Sequence, residues 1–224
     1  VLAARAHLTR CTLCPRACGV DRARGERGFC GAGLLPRVAS FAVHRGEEPP
    51  ISGERGSGNV FLSGCNLACR FCQNYPISRL GVGRDLAAEQ FAQGLLGLAR
   101  QGVHNLNFVT PTPWVPQIVE ALLIARRSGL NLPVVWNCGG YESLPVLRLL
   151  DGVADIYLPD MKYADGRRAW ALSRAPLLDL DHVRIEGHAQ LIALQQPVLA
   201  NLGDLLGEHL GIDDADVMRV ETAG

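Results

Sequence analysis

Residues 59–74 read NVFLSGCNLACRFCQN, in which a short β-prone run, 59–64, leads directly into three closely spaced cysteines. The chain after this stretch alternates amphipathic helical patterns with short apolar runs. The pattern predicts further strands at 105–110, 133–138 and 155–159, and helices at 85–101, near 115–128 and at 143–151. Regular β–α alternation with apolar strands predicts a parallel sheet. The expected fold class is therefore α/β, with a partial (β/α) barrel.

The cysteine loop directly follows the first predicted strand. Folds of the (β/α) type carry their chemistry at the carboxyl ends of the strands, so the loop lies where a functional site is expected. In the helix that comes next, Asp85 is the expected N-terminal cap and Gly102 lies just past the end.

Composition divides the chain into three regions. Residues 1–58 are rich in Cys, Gly, Pro and Arg, and predict a Cys-rich, irregular N-terminal extension that binds a metal ion or a cluster. Residues 59–176 hold the β–α alternation and form the expected (β/α) core. Residues 177–224 have a different texture, which we interpret as a divergent or shortened C-terminal segment.

The net charge argues against two classes of partner. Lys plus Arg and Asp plus Glu each number 22 in 224 residues, so the formal net charge is zero. A neutral chain gives no electrostatic reason to bind nucleic acid or an anionic membrane surface. No apolar run approaches the ~20 residues that span a bilayer, and residues 1–10 lack the apolar core of a signal peptide. We therefore expect a cytoplasmic protein without nucleic-acid or membrane partners.

Eight cysteines are the unusual feature of the composition, and all but one lie within the first third of the chain. Disulfide frameworks are typical of short secreted chains with a signal peptide. Closely spaced cysteines can instead turn several thiolates toward one metal centre. The spacing therefore favours metal or cluster ligation over disulfides.

Cys65, Cys69 and Cys72 have the spacing C-x3-C-x2-C. Three thiolates suit three irons of a cubane iron–sulfur cluster and leave the fourth iron without a protein ligand. Structural zinc and ferredoxin-type clusters each require a fourth protein ligand, and no histidine lies in the neighbouring loop. The triplet therefore predicts an open, reactive metal centre rather than a closed structural one.

At these residues the chain resembles the radical S-adenosylmethionine (SAM) superfamily, whose signature has this spacing with an aromatic residue just before the third cysteine, here Phe71. Longer stretches resemble the branch related to the pyruvate formate-lyase-activating enzyme. They are CTLCPRACGVDRARGERGFCGAG, GSGNVFLSGCNLACRFCQNYPIS, HNLNFVTPT and DIYLPDMKY. The resemblance covers residues 10–176 or thereabouts.

The resemblance implies a radical SAM enzyme with a [4Fe–4S] cluster on the three cysteines and SAM bound to the open iron. One electron, supplied by a donor such as flavodoxin or ferredoxin, would cleave SAM to methionine and a 5′-deoxyadenosyl radical, which abstracts hydrogen from the substrate. In the named branch this substrate is a glycyl radical enzyme. The protein would orient SAM, tune the cluster and exclude water.

The resemblance also assigns positions that bind SAM. Phe71 would place its backbone against the adenine. Thr110 and Thr112, in the segment TPT, lie where many relatives carry a Gly-Gly-Glu-type segment that meets the methionine moiety. The residue pattern by itself indicates, as an alternative, a proline-stiffened exit from the strand.

Strand ends supply the remaining candidates. Asn137 ends the third strand, where activating enzymes often carry Asp, and its amide oxygen could contact the ribose or the amino group of SAM. Asp160 and Lys162 end the fourth strand as D-x-K and point to one face, because strand side chains alternate. They could contact SAM or form an ion pair at a solvated strand end. We interpret Cys138 as a small core residue.

Cys11, Cys14, Cys18 and Cys30 form a complete four-ligand set, C-x2-C-x3-C-x11-C. Four thiolates close a coordination sphere, so the set predicts a structural zinc ion or an auxiliary iron–sulfur cluster. Pro15, directly after Cys14, slightly favours iron–sulfur, because a Cys-Pro pair recurs in ferredoxin loops. The spacing alone leaves both metals open.

Two other functions fit the sequence. The radical chemistry could act on a small molecule or on a different protein, since nothing in the sequence identifies the substrate. The resemblance also fades after about Pro176. The chain could therefore be a non-catalytic iron–sulfur or metal-binding protein with an incomplete barrel.

Overall fold

The computed structural model describes residues 1–160, 162–163 and 166–176, so the predicted C-terminal segment, 177–224, lies outside the described residues. A six-stranded sheet forms the centre of the fold, in the order β3-β1-β2-β4-β5-β6. Its strands are β1 (Arg37–His44), β2 (Ser57–Leu62), β3 (Arg84–Asp85), β4 (Leu106–Val109), β5 (Val134–Cys138) and β6 (Ile156–Pro159). Strands β2, β4, β5 and β6 are parallel, whereas β1 pairs antiparallel with both β2 and β3. The predicted α/β class is confirmed, and the sheet that was predicted to be parallel is mostly parallel, with β1 as the antiparallel strand.

The α-helices of the described residues are α1 (Leu2–Ala6), α2 (Pro49–Ser52), α3 (Tyr75–Ser78), α4 (Ala88–Arg100), α5 (Val115–Arg127), α6 (Leu144–Leu149) and α7 (Gly166–Ser173). Helices α3 to α6 lie between consecutive parallel strands, whereas the others lie elsewhere along the chain. The two long ones, α4 and α5, pack against each other, and α4 also contacts β1. None of the helices in the described ranges is both long and apolar enough to cross a membrane.

A row of aromatic rings ties the helix layer to the sheet. Phe91 on α4 lies between Phe41 on β1 and Phe108 on β4, with ring centroids 6.0 and 6.3 Å apart. Phe108 in turn meets Trp136 on β5 at 6.5 Å. Three of these side chains (Phe91, Phe108 and Trp136) are fully buried, and burial of each contributes about 1.5–3 kcal/mol. This core fixes the strands whose ends carry the candidate site.

The start of α4 differs from the prediction. The helix begins at Ala88, and the side chain of Gln90 accepts a hydrogen bond from the N–H of Ala87 at 3.0 Å. Asp85 does not cap it. The Asp85 carboxylate lies in β3 instead, where it accepts hydrogen bonds of 2.7 and 3.1 Å from Arg37 on β1. The prediction failed because a cross-strand arginine, distant in sequence, holds this carboxylate.

Strand β1 was not predicted from the Cys-, Gly- and Pro-rich N-terminal composition. It runs the length of β2, and its register shifts between Val38 and Ser40. One edge of the parallel set is therefore covered by the antiparallel strand β1, with the short β3 beyond it.

Two glycines on α4 provide a matched test of the packing between α4 and β1. Alanine favours a helix over glycine by about 1 kcal/mol, and at Gly97 a Cβ would meet only the Arg100 guanidinium, at 3.8 Å. We expect Gly97→Ala to raise the free energy of unfolding by about 0.5–1 kcal/mol. At Gly94 a Cβ would overlap the Phe41 ring. We therefore expect Gly94→Ala to lower the free energy of unfolding by about 1–3 kcal/mol. Urea unfolding measures both, and equal stability of the two variants would contradict this packing.

Candidate functional site

The carboxyl ends of the parallel strands meet at one edge of the sheet, and the cysteine loop begins there. Strand β2 continues through Ser63 and Gly64 into Cys65. Gly64 has a φ of 85°, and a Cβ there would lie 2.5 Å from the Cys30 carbonyl oxygen. Only glycine therefore allows the chain to turn at this point while the N-terminal segment packs against it.

Helix α7 holds the cysteine loop from the other side. The N–H groups of Ala68 and Arg70 donate to the carbonyls of Ser173 and Leu172, at 2.8 and 2.9 Å. The Ser173 side chain is buried, and its hydroxyl donates to Cys69 Sγ at 2.8 Å.

Each of the three thiols in the loop has a polar neighbour. The Ser173 hydroxyl is the neighbour of Cys69. The Leu67 N–H donates to Cys65 Sγ at 3.3 Å, and Cys72 Sγ lies 3.2 Å from the Ser78 hydroxyl. Burial, and to a lesser degree the neighbouring thiolates, raises the pKa of Cys65 to about 12. A bound metal cation would offset the cost of ionising thiols in this setting.

Within the described ranges, no group of three or more His, Cys, Asp or Glu side chains is arranged so that it could hold a metal ion. The donor set itself fits an iron–sulfur cluster. It consists of three thiols, each with a hydrogen-bonding group at its sulfur atom, and cysteine thiolates are the usual ligands of such clusters.

The exit of β4 carries Thr110 in an unusual backbone conformation. Its φ is 60°, which is uncommon for a β-branched residue. The Thr110 N–H donates to the carbonyl of Asn137, at the end of β5, at 3.0 Å. Thr112, two residues on, is buried, and its hydroxyl donates to the carboxylate of Glu142. The structure thus links the exits of β4 and β5.

Glu142 is a candidate site residue that the sequence analysis missed. Burial raises the pKa of its carboxyl group, and hydrogen bonds from Thr112 and Cys138 oppose that rise. A signal was present, because Glu142 lies two residues after the Gly139-Gly140 break at the end of β5. Its position against Thr112 comes from the fold alone. Cys138 is buried as expected, and it also contacts this carboxyl group.

The remaining predicted residues lie at the exposed rim. Asp160 forms an ion pair with Lys162, and its carboxylate is largely exposed. The Asp160 N–H donates to the Cys138 carbonyl at 2.9 Å, so β6 ends beside β5. The Phe71 ring is 58% exposed and meets Tyr163 edge-on, with centroids 6.3 Å apart.

The N-terminal cysteines lie next to these loops. One cavity is lined by all four of them, Cys11, Cys14, Cys18 and Cys30. The same cavity is lined by Asn66 from the cysteine loop and by Thr112 from the exit of β4. The two sets of cysteines predicted from the sequence are therefore neighbours in the fold.

Comparison with known proteins gives a family match over the core of the chain. The model of the Radical SAM superfamily matches residues 59–172. An uncharacterized protein of Methanocaldococcus jannaschii, MJ0674, is 33% identical over 172 residues, which are 73% of this chain and 48% of that protein. The pyruvate formate-lyase-activating enzyme of Listeria monocytogenes is 26% identical over 136 residues, 55% of this chain and 54% of the enzyme. The chain spans about half the length of each of these relatives.

The raised pKa of the Glu142 carboxyl group makes the stability of the protein depend on pH. Its folded-state pKa lies above the ordinary value of 4.5, so the folded state binds more protons than the unfolded state at pH values between the two. The free energy of unfolding therefore falls as pH rises from 4.5 through the folded-state value. We expect Glu142→Gln to reduce this fall, because the amide does not ionise.

Urea unfolding of the metal-free protein across this pH range measures the difference between the parent and the variant. Glu89→Gln, which removes a carboxylate from the exposed first turn of α4, serves as the matched control. A Glu142→Gln curve parallel to that of the parent would contradict the assignment.

Proposed function

Since this chain belongs to the radical SAM superfamily, we propose that it is an enzyme that cleaves S-adenosylmethionine reductively at a [4Fe–4S] cluster held by Cys65, Cys69 and Cys72. The cluster and SAM together would supply one-electron chemistry that ends in a 5′-deoxyadenosyl radical. The protein supplies the ligands, the binding surface for SAM and a site protected from water.

One observation carries the proposal. The three thiols lie on a single loop at the carboxyl edge of the parallel strands, and the polar groups at the ends of β4 and β5 gather beside them. In (β/α) folds this edge is where residues from different strands jointly build active sites. A purely structural metal site would have no need of the part-buried hydrogen bond between Thr112 and Glu142.

The chain's own residues would prepare the site in two ways. Hydrogen bonds from Ser173 and from the Leu67 N–H stabilise negative charge on the thiolates. The Glu142 carboxylate offers a negative group to the positively charged ammonium and sulfonium centres of SAM. Thr112 orients this carboxylate by donating a hydrogen bond to it.

Other contacts to SAM are proposed from the family resemblance. Thr110 and Asn137 would contact its methionine and ribose parts, with Asp160 and Lys162 at the mouth of the site. Phe71 would present its backbone to the adenine. The exposure of Phe71 and Asp160 leaves both within reach of a ligand.

A narrower function is proposed from one relative. The similarity to the pyruvate formate-lyase-activating enzyme of Listeria monocytogenes suggests a glycyl radical enzyme as the protein substrate. Flavodoxin or ferredoxin is the candidate electron donor. A glycyl radical signal in electron paramagnetic resonance, formed when the reduced protein, SAM and such an enzyme are mixed, would support this. Cleavage of SAM without the signal would instead favour a small molecule or another protein as substrate.

Nucleoside formation tests the central proposal. After anaerobic reconstitution with iron and sulfide and reduction with dithionite, we expect the parent chain to convert SAM to 5′-deoxyadenosine. We expect Cys69→Ala to form none above background, because the cluster loses one of its three ligands. Chromatography quantifies the nucleoside, and circular dichroism checks that the variant is folded.

The proposal fails if the parent chain assembles about four irons, the content of one cubane cluster, yet forms no more nucleoside than Cys69→Ala. The chain would then be a non-catalytic iron–sulfur protein.

The hydroxyl of Ser173 should tune the reduction potential of the cluster. Tyr163 lies 2.6 Å from this hydroxyl, which donates in turn to Cys69 Sγ. Removing a donor from a cluster thiolate disfavours the more negative, reduced state. We expect Ser173→Ala to lower the reduction potential of the cluster. The expected shift is roughly 40 mV for each ~1 kcal/mol by which the hydrogen bond from Ser173 to Cys69 strengthens when the cluster is reduced.

A titration followed by electron paramagnetic resonance measures this potential. Tyr163→Phe should shift it less and in the same direction. Ser143→Ala is the control, since that hydroxyl lies 3.3 Å from the carbonyls of Thr12 and Leu13 rather than at a cluster thiol. Equal potentials in the parent and Ser173→Ala would contradict the assigned hydrogen bond.

A further inference from the structure

The N-terminal cysteines surround a cavity of atomic size. Cys11, Cys14, Cys18 and Cys30 all line it, and its volume is about 10 Å³. Such a volume corresponds to about one water-sized sphere. The four cysteines of the set thus line one small cavity.

A backbone reversal brings three of these cysteines together. The N–H of Cys11 donates to the Val20 carbonyl at 3.1 Å, and the N–H of Gly19 donates to the Cys11 carbonyl at 2.9 Å. The chain thus folds back on itself, and the intervening turn carries Cys14 and Cys18.

The fourth cysteine comes from a second turn that packs tightly on the first. The N–H of Gly31 donates to the Gly28 carbonyl at 3.0 Å, with Cys30 inside this turn. A Cβ at Gly28 would lie 3.0 Å from Cys18 Sγ, which is closer than side-chain atoms normally approach. Glycine therefore allows the two turns to meet.

Arg22 places a buried positive charge at the same cavity. Its side chain is 2% exposed, its Nη2 donates to Cys11 Sγ at 3.0 Å, and its Nη1 donates to the Pro113 carbonyl at 2.5 Å. Within the described part of the chain, its Nε has no hydrogen-bond partner and no carboxylate pairs with it. A buried cation without a counter-charge is costly. A divalent ion held by four thiolates carries a net negative charge that offsets this cost.

We propose that Cys11, Cys14, Cys18 and Cys30 bind one Zn²⁺ ion in a closed site, with Arg22 balancing its charge. Zinc accepts four cysteine thiolates in tetrahedral geometry, and four protein ligands leave no open position, so the site is structural. Across the described residues the thiols are gathered but are not in a ligating arrangement. Binding therefore draws the sulfur atoms inward around the ion.

The zinc site would fix the N-terminal segment against the catalytic loops. Arg22 holds the exit of β4 through the Pro113 carbonyl. Arg16, in the turn between two of the zinc ligands, donates through Nε to the carbonyl of Asn66 at 2.7 Å. Asn66 directly follows Cys65 in the cluster loop. One ion would thus hold in place two arginines that reach the loops on either side of the site.

Metal analysis of the full chain tests the proposal without any assay of activity. Protein freed of metal with a chelator is titrated anaerobically with zinc chloride, and bound zinc and iron are measured by mass spectrometry. We expect about one zinc per chain in the parent. Cys69→Ala should retain it, because the N-terminal site is intact, whereas Cys18→Ser should lose it. X-ray absorption at the zinc edge should show sulfur ligands only.

Three results would overturn the proposal. They are a parent chain that binds no zinc, a Cys18→Ser variant that binds zinc as the parent does, and iron in place of zinc in purified Cys69→Ala, which would mark an auxiliary cluster. The measurement of zinc content requires no cleavage of SAM, so its result is independent of the function proposed above.

Arg22→Gln provides a second variant that leaves all four thiols in place. Loss of the balancing charge should weaken zinc binding roughly ten- to hundredfold, the usual effect of removing a group that supports metal ligands. Unchanged affinity would contradict the role of Arg22. If Cys18→Ser does not fold, titration of the parent with Co²⁺ decides, because thiolate ligation produces charge-transfer absorption and its absence would exclude the site.

Discussion

The parallel pairing of β2, β4, β5 and β6 is the constraint on which the site depends. In register, Phe61 lies beside Val109, Val109 beside Asn137, and Asn137 beside Leu158. Because these strands run in one direction, the loops that follow them emerge at one edge. The cysteine loop, the TPT segment and the carboxylate of Glu142 are neighbours for this reason, although they are far apart in sequence.

Much of this arrangement was predictable, because its signals are local. The apolar runs at β2, β4, β5 and β6 and the helical periodicity of α4 and α5 reflect burial, which the sequence records position by position. The cysteine spacing is also a local signal, because it shows how many thiol groups lie within one loop. The features that were missed depend on contacts between distant segments. Arg37 holds Asp85, and Glu142 accepts a hydrogen bond from Thr112. Strand β1 was missed because it lies in a region with the composition of a loop.

The N-terminal segment is part of the architecture rather than an appendage. It contributes β1 to the sheet, and its arginines donate to carbonyls in the loops around the site. The close approach of the Cys30 carbonyl to Gly64 places the two cysteine sets on adjoining turns. The proposed cluster site and the proposed zinc site would therefore lie on either side of one packed interface.

The backbone of Thr110 has a consequence for ligand binding. A positive φ is an unfavourable conformation for a β-branched residue. Thr110 keeps this conformation because Asn137 and the buried Thr112 hold the turn. Contacts within the chain itself therefore hold the turn. A ligand that lies against it meets a preorganised surface, and little of its affinity is lost to freezing the backbone.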